Sequence, residues 1–238
     1  MHRFLLQKSS ARNGDKVPTV TVTGTLHPWS TYNSDRYCQR PHRPQGVPWY
    51  NGLKAAVDDP SQVLDSDSTT VILVDGFPKA RHHYLIVPKQ VDINSIGEAT
   101  TDHLSLLEHM HTRGKELVKK INVDEEATFH MGYHAIPSMK LLHLHMISDD
   151  FDSQKMRTVH HWNIFNTDFF IDSHTAIEMV RKNGRVEIDE KHYDNILHSP
   201  PRCNICSKHF KPSEFDQLRK HRRTHDTKTY FETINFHQ

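Results

Sequence analysis

A chain of 238 residues, 35% of them hydrophobic, with a mean hydropathy of −0.71, is long enough for one filled core plus a small appended module and too polar to be core throughout. Lys and Arg (30) balance Asp and Glu (29), leaving a formal charge of +1, so net charge excludes nothing about a polyanionic partner and only local clustering can announce one. The three cysteines, Cys38, Cys203 and Cys206, are too few for a disulfide framework. No segment approaches the ~20 apolar residues of a membrane span, and the N-terminus lacks a signal-peptide core. These features predict an intracellular protein without a membrane partner. The 21 histidines point instead to site chemistry, because imidazole ligates metals, moves protons and attacks phosphorus near neutral pH.

Residues 1–45 are polar, are broken by Pro18, Pro28, Pro41 and Pro44, and predict a flexible arm apart from a short alternation at Val20 to Thr23. Leu53, Ala55, Ala56 and Val57 predict a short helix ending near Asp59-Pro60. Thr69 to Val74 and Tyr84 to Val87 read as buried strands joined by a loop that contains Asp75-Gly76. Between Thr101 and Ile121, Leu104, Leu107, Met110, Leu117, Val118 and Ile121 recur at helical spacing. Thr128 to Ala135 and Leu141 to Ser148 read as two more strands, and the short connections predict an antiparallel sheet. A helix over Ser173 to Lys182, with Ser173 as N-cap and Gly184 as stop, precedes a linker at His198-Ser199-Pro200-Pro201.

In the strand Leu141-Leu142-His143-Leu144-His145-Met146-Ile147, alternation places Leu141, His143, His145 and Ile147 on one face and Leu142, Leu144 and Met146 on the other. Two imidazoles then stand side by side. Such a pair can bind a metal, or one ring can attack an electrophile while its neighbour stabilises the charge that develops.

The run GYHAIPSMKLLHLHMISDDFD, continuing through HHWNIFNTDFF, resembles the active-site strand of the histidine-triad nucleotide hydrolases. VDGFPKARHHYLIVPK resembles that family's first nucleotide-binding hairpin. The resemblance spans Trp49 to His225 and departs at one position: Leu141 stands where the family has the first histidine of the triad. It implies that His143 is the nucleophile toward an adenylate phosphorus, that His145 contacts the phosphate oxygens, and that His134 and His83 orient rings or protonate the leaving group. Ser138 matches a phosphate-binding serine, though a turn serine reads equally well. Asp75 matches a ribose-binding carboxylate while also making a turn. Leu53 and Met139 would line the base pocket. Lys79 would lie near phosphate, or be solvated. Trp49, Tyr50 and Trp162 could stack on a DNA end or pack in a core.

Cys203-x2-Cys206-x14-His221-x3-His225 supplies four ligands of a tetrahedral zinc at ββα-finger spacing. Phe210 and Leu218 sit where such fingers place their core. Lys208, Lys211, Arg219, Lys220, Arg222 and Arg223 form a local basic patch suited to phosphate contacts, the alternative being a purely structural knuckle.

Together these readings predict an α+β chain. A histidine-triad catalytic domain (46–198) with an antiparallel sheet and flanking helices is followed by a ββα-like zinc finger (199–230) and a tail (231–238). The resemblance implies a DNA-repair hydrolase that removes AMP from 5′-adenylated ends, with related action on guanylylated 3′ ends. The expected partners are nicked or double-stranded DNA and AMP, the expected zinc is structural, and no catalytic metal or organic cofactor is expected. A monomer is expected in the nucleus, with the cytoplasm as a further location. A small-molecule dinucleotide or phosphoramidate hydrolase, and a non-catalytic zinc-finger adaptor, are the alternatives.

Overall fold

The computed structural model describes residues 52–121 and 127–235. The expected arm, Cys38, Trp49 and Tyr50 lie outside the described residues. A short helix α1 (Gly52–Val57) leads into strands β1 (Val63–Ser66), β2 (Thr70–Val74) and β3 (His83–Pro88). Two 3-10 turns, Ile96–Glu98 and Thr101–His103, introduce α2 (Leu104–Ile121). Strands β4 (Phe129–His134) and β5 (Leu144–Ser148) follow, then α3 (Val159–Asn166), β6 (Phe170–Asp172), α4 (Ser173–Asn183) and α5 (Glu190–Leu197). A last helix, α6 (Phe215–Asn235), carries the C-terminal pair of expected metal ligands.

The six strands form one sheet in the order β1-β2-β3-β5-β4-β6, every pairing antiparallel, as the short connections require. α2 forms because its apolar residues recur every three to four positions, and its buried seam is Leu107, Met110, Gly114 and Leu117. Gly114 permits close approach: a Cβ there would sit 2.5 Å from the Met131 sulfur on β4. α4 is capped by Asp172, which accepts the Thr175 N–H, and not by Ser173, whose hydroxyl is taken by His111 Nδ1 at 2.8 Å. Gly184 ends that helix at φ 83°, a left-handed conformation that costs glycine little.

Alternation along the strands sorts side chains onto two faces. Ile72, Tyr84, Ile86, Leu142, Leu144 and Met146 join the main core with residues of α2 and α4. The opposite face carries Val71, Leu73, Leu85 and Val87, covered by Leu53 of α1, in one cluster. Ile147 begins another, with Phe151, Trp162, Phe165, Cys203, Phe210, Phe215 and Leu218. That second cluster shows why the finger does not hang on a loose linker: its core residues and those packed on the sheet around Ile147 are continuous. Asn163, fully buried, donates its amide to the carbonyls of Ile196, Leu197 and Ser199, fixing the segment that composition reads as a linker. Within the finger the expected hairpin is reduced to a single antiparallel bridge, Arg202↔His209.

Candidate active site and metal centre

Adjacent strands bring four histidines together on the face opposite α2 and α4. His83 opens β3, His145 lies on β5 directly opposite Leu85, and His134 closes β4. His143 stands just before β5. Its ring centroid is 4.8 Å from that of His145, which in turn stacks on His134 at 4.1 Å. Phe165 of α3 meets His83, His134 and His145 edge-on at 5.3, 4.9 and 5.5 Å. Phe165 is a site residue that the sequence reading missed; its only signal was a place among the apolar residues of HHWNIFNTDFF.

The hydrogen bonds fix the tautomers. His143 Nδ1 lies 2.8 Å from the Leu141 carbonyl, which can only accept, so Nδ1 carries the proton and Nε2 keeps a free lone pair. The Lys79 backbone N–H donates to His83 Nδ1 at 3.1 Å, so the His83 proton is on Nε2. That nitrogen sits 2.9 Å from His145 Nδ1 and 3.5 Å from Asp75 Oδ2. His145 Nδ1 must then accept, which puts its proton on Nε2, a buried atom with no partner among the described residues. One ring therefore presents a nucleophilic nitrogen while its neighbour presents a donor. Leu141 is thus no obstacle to orientation, because a main-chain oxygen does the orienting.

Burial disfavours the charged form of all four rings. It pulls His83 down to about 4 against the partial opposition of Asp75, and pushes His134 and His145 well below the ordinary histidine value. His143 is also lowered by burial, with the Leu141 carbonyl and Asp75 pulling the other way. The Lys79 charge adds to the depression of His83, His134 and His145. Lys79 is not a freely solvated side chain: its Nζ donates to the Phe77 carbonyl at 2.7 Å, and burial lowers its pKa.

Asp75 accepts the Phe77 N–H at 2.7 Å as well as reaching His83, so it shapes the turn and faces the site at once. Leu53 is buried in the floor of the apolar cluster beside the histidines, with Met139 and Leu141 half-buried at its margin. Ser138 is exposed on the loop between β4 and β5.

Two of the expected DNA contacts are placed elsewhere. Trp162 is 1% exposed, and its indole N–H donates to the Arg202 carbonyl at 2.9 Å; it offers no ring face to a base and instead bolts α3 to the finger. Arg222 is 4% exposed and donates to the Asp149 carbonyl at 2.9 Å. Arg219 donates to the Ser153 carbonyl at 3.1 Å, and Arg223 pairs with Asp152 at 2.6 Å. Asp152 is shared with Arg81 from the β2–β3 loop, and the Ser153 hydroxyl bonds the Pro78 carbonyl. Segment 149–153 therefore links the finger to the loop that holds Lys79. Lys208, Lys211 and Lys220 remain exposed.

Cys203, Cys206, His221 and His225 bring their donor atoms within 4.8 Å of one another. Cys206 Sγ lies 3.1 Å and Cys203 Sγ 3.5 Å from the nearer imidazole nitrogen, and the two Nε2 atoms are 3.3 Å apart. A tetrahedral zinc with Zn–S about 2.3 Å and Zn–N about 2.1 Å spaces its donors roughly 3.4 to 3.8 Å apart, within a few tenths of an ångström of these contacts, so the donor set suits that ion.

Residues 49–161 match the family model for the scavenger mRNA decapping enzyme C-terminal binding region, and 166–228 match the C2HE / C2H2 / C2HC zinc-binding finger. Aprataxin of Gallus gallus is 42% identical over 180 residues, 76% of this chain and 56% of that protein. An aprataxin-like protein of Saccharomyces cerevisiae is 30% identical over 208 residues, covering 73% of this chain and 94% of its own length. The chain spans about half the length of the vertebrate relatives it matches. A solved aprataxin ortholog in complex with DNA superposes with a TM-score of 0.67 at 20% identity, over 79% of this chain and 100% of that one.

Proposed function

The chain belongs to the aprataxin family of histidine-triad proteins, and from that membership we propose that it is a DNA-repair hydrolase that removes AMP from 5′-adenylated ends. The observation that carries the chemistry is the pair of hydrogen bonds that sets complementary tautomers: a lone pair on His143 Nε2 beside an N–H on His145 Nε2 that has no partner among the described residues. His143 Nε2 attacks the adenylate phosphorus as the bond to the DNA 5′-phosphate oxygen breaks, giving a phosphoramidate and a 5′-phosphorylated end. His145 Nε2–H donates to a non-bridging oxygen as its charge grows, in a site where a preorganised donor counts for more than in water. The adduct leaves the His143 ring cationic, and the Leu141 carbonyl and Asp75, which already favour charge there, stabilise it. Water, giving one proton up to solvent, then attacks phosphorus as the P–N bond breaks, so that AMP departs and His143 recovers its lone pair.

Asp75 is suited to the ribose diol, Leu53, Met139 and Leu141 to the base, and Lys79 and Ser138 to phosphate. Cys203, Cys206, His221 and His225 would hold zinc, which when bound cross-links the knuckle to α6 and keeps the finger's core closed against Trp162. Exposed Lys208, Lys211 and Lys220 would meet DNA phosphates, a role consistent with the DNA-bound ortholog of the same fold. A nuclear site of action follows from such a substrate.

A small-molecule adenylate hydrolase is the second reading, favoured by the internal engagement of Arg219, Arg222 and Arg223. Comparing kcat/KM on adenylated nicked DNA and on diadenosine polyphosphate separates the two. Preference for DNA by about a hundredfold, some 2.7 kcal/mol of additional transition-state binding, is expected. Equal or inverted efficiencies would assign the site to the small molecule.

A further inference from the structure

Leu141, where the triad pattern departs, has an unusual backbone: φ is 80°, a region that a residue with a Cβ enters only under constraint. The constraint comes from two neighbouring residues. The Leu141 N–H donates to Asn94 Oδ1 at 3.2 Å, and the Leu142 N–H donates to the Ile93 carbonyl at 3.0 Å. Only φ and ψ of Leu141 rotate between those two N–H groups, so gripping both from one segment sets the turn. The peptide unit that carries the Leu142 N–H bears the Leu141 carbonyl at its other end, and this is the oxygen that accepts from His143 Nδ1. Asn94 is itself held, its N–H donating to Glu98 Oε2 at 3.0 Å.

We propose that Asn94 is a positioning residue for His143: by accepting the Leu141 N–H it holds Leu141 in the left-handed conformation and thereby aims the carbonyl that selects the nucleophilic tautomer. The inference deepens the function proposed above and rests on it. It accounts for leucine at the first triad position, since His143 requires of residue 141 a main-chain oxygen in one place and no particular side chain. Without the Asn94 acceptor, Leu141 relaxes toward negative φ, its carbonyl turns away, and the neutral His143 ring divides its proton between two nitrogens. A ring protonated on Nε2 has no lone pair to offer phosphorus.

The test compares the full chain with Asn94→Ala and Asn94→Asp, the latter keeping an acceptor of the same reach. The 15N spectrum of the His143 ring is recorded at pH 7.5 without substrate, alongside kcat and KM on adenylated nicked DNA. Wild type and Asn94→Asp should show the Nδ1–H tautomer. Asn94→Ala should show both tautomers, with kcat reduced by about tenfold or more and KM nearly unchanged, the range for losing a group that orients a reacting ring. Asn94 is exposed, so folding should survive; if Asn94→Ala does not fold, Asn94→Gln, which shifts the acceptor by one methylene, makes the same comparison. A single Nδ1–H tautomer and wild-type kcat after loss of the acceptor would overturn the proposal. A tautomer change in a protein whose wild type removes no AMP would uphold the positioning role and refute the functional reading.

Discussion

His83 Nε2 lies 2.9 Å from His145 Nδ1, and because the Lys79 amide occupies the other His83 nitrogen, the proton in that contact belongs to His83. Under the proposed mechanism, the donor that His145 would present to a phosphate is thus set by His83. Replacing His83 by Ala should free the His145 ring to change tautomer and lower kcat by roughly ten- to a hundredfold, with KM little altered. Replacing His145 itself should cost about a hundred- to a thousandfold, the usual cost of a lost transition-state donor. Steady-state kinetics on a small adenylate check both. A KM effect without a kcat effect would mean that the pair binds ground state and transition state alike.

Arg222 is buried and donates to the Asp149 carbonyl, and is expected to act as a bracket. Arg222→Ala leaves the Asp149 carbonyl short of a charged donor, and should destabilise the fold by about 2 kcal/mol, read as a lower urea midpoint. Because segment 149–153 also holds the loop bearing Lys79, turnover of a small adenylate should fall as well. An unchanged midpoint together with a loss confined to DNA substrates would return Arg222 to the DNA-binding surface.

Lys211 and Lys220 are exposed and uncommitted to the 149–153 segment. Their double replacement by Ala should weaken DNA binding at low salt and flatten the log–log salt dependence by roughly 0.9 for each phosphate no longer neutralised. The rate on a small adenylate should stay at the wild-type value. An unaltered slope would mean that DNA lies elsewhere.

Neutral burial of His83 makes stability pH-dependent. With a folded value of about 4 against 6.5 in the unfolded chain, the unfolded state binds more protons between those limits. The contribution is fully present above about pH 6.5 and declines as pH falls toward 4. At pH 5 the loss from His83 alone is about 2 kcal/mol. Urea melts of wild type and His83→Gln at pH 7.5 and pH 5 isolate it, since acid effects on the finger are common to both. A stability difference that does not change with pH would show that His83 is not held neutral by the fold.

What the sequence disclosed and what it concealed differ in a physical way. α2 was legible because one apolar stripe persists over 18 residues, and the paired histidines were legible because a strand alternates. β6, three residues long, and α5, with no fully buried side chain, carry too little pattern. α3 was hidden because Trp162, Ile164 and Phe165 surround it with apolar surface on several sides. The strand expected from Leu141 begins at Leu144 because the turn at Leu141 is imposed by Ile93 and Asn94, far away along the chain. Arg222 looked like a DNA contact by residue type, and Trp162 read as either a stacking ring or a core residue. Their burial depends on each other's elements packing together, which no local pattern records.

The most direct test of the account is the covalent intermediate. The 238-residue chain is mixed with adenylated nicked DNA, quenched within one turnover in neutral denaturant, digested and mapped by mass spectrometry. The account predicts AMP on His143 of the wild type, none in His143→Ala, and no turnover in that variant. An adduct on any other residue, or full turnover in His143→Ala, would contradict it.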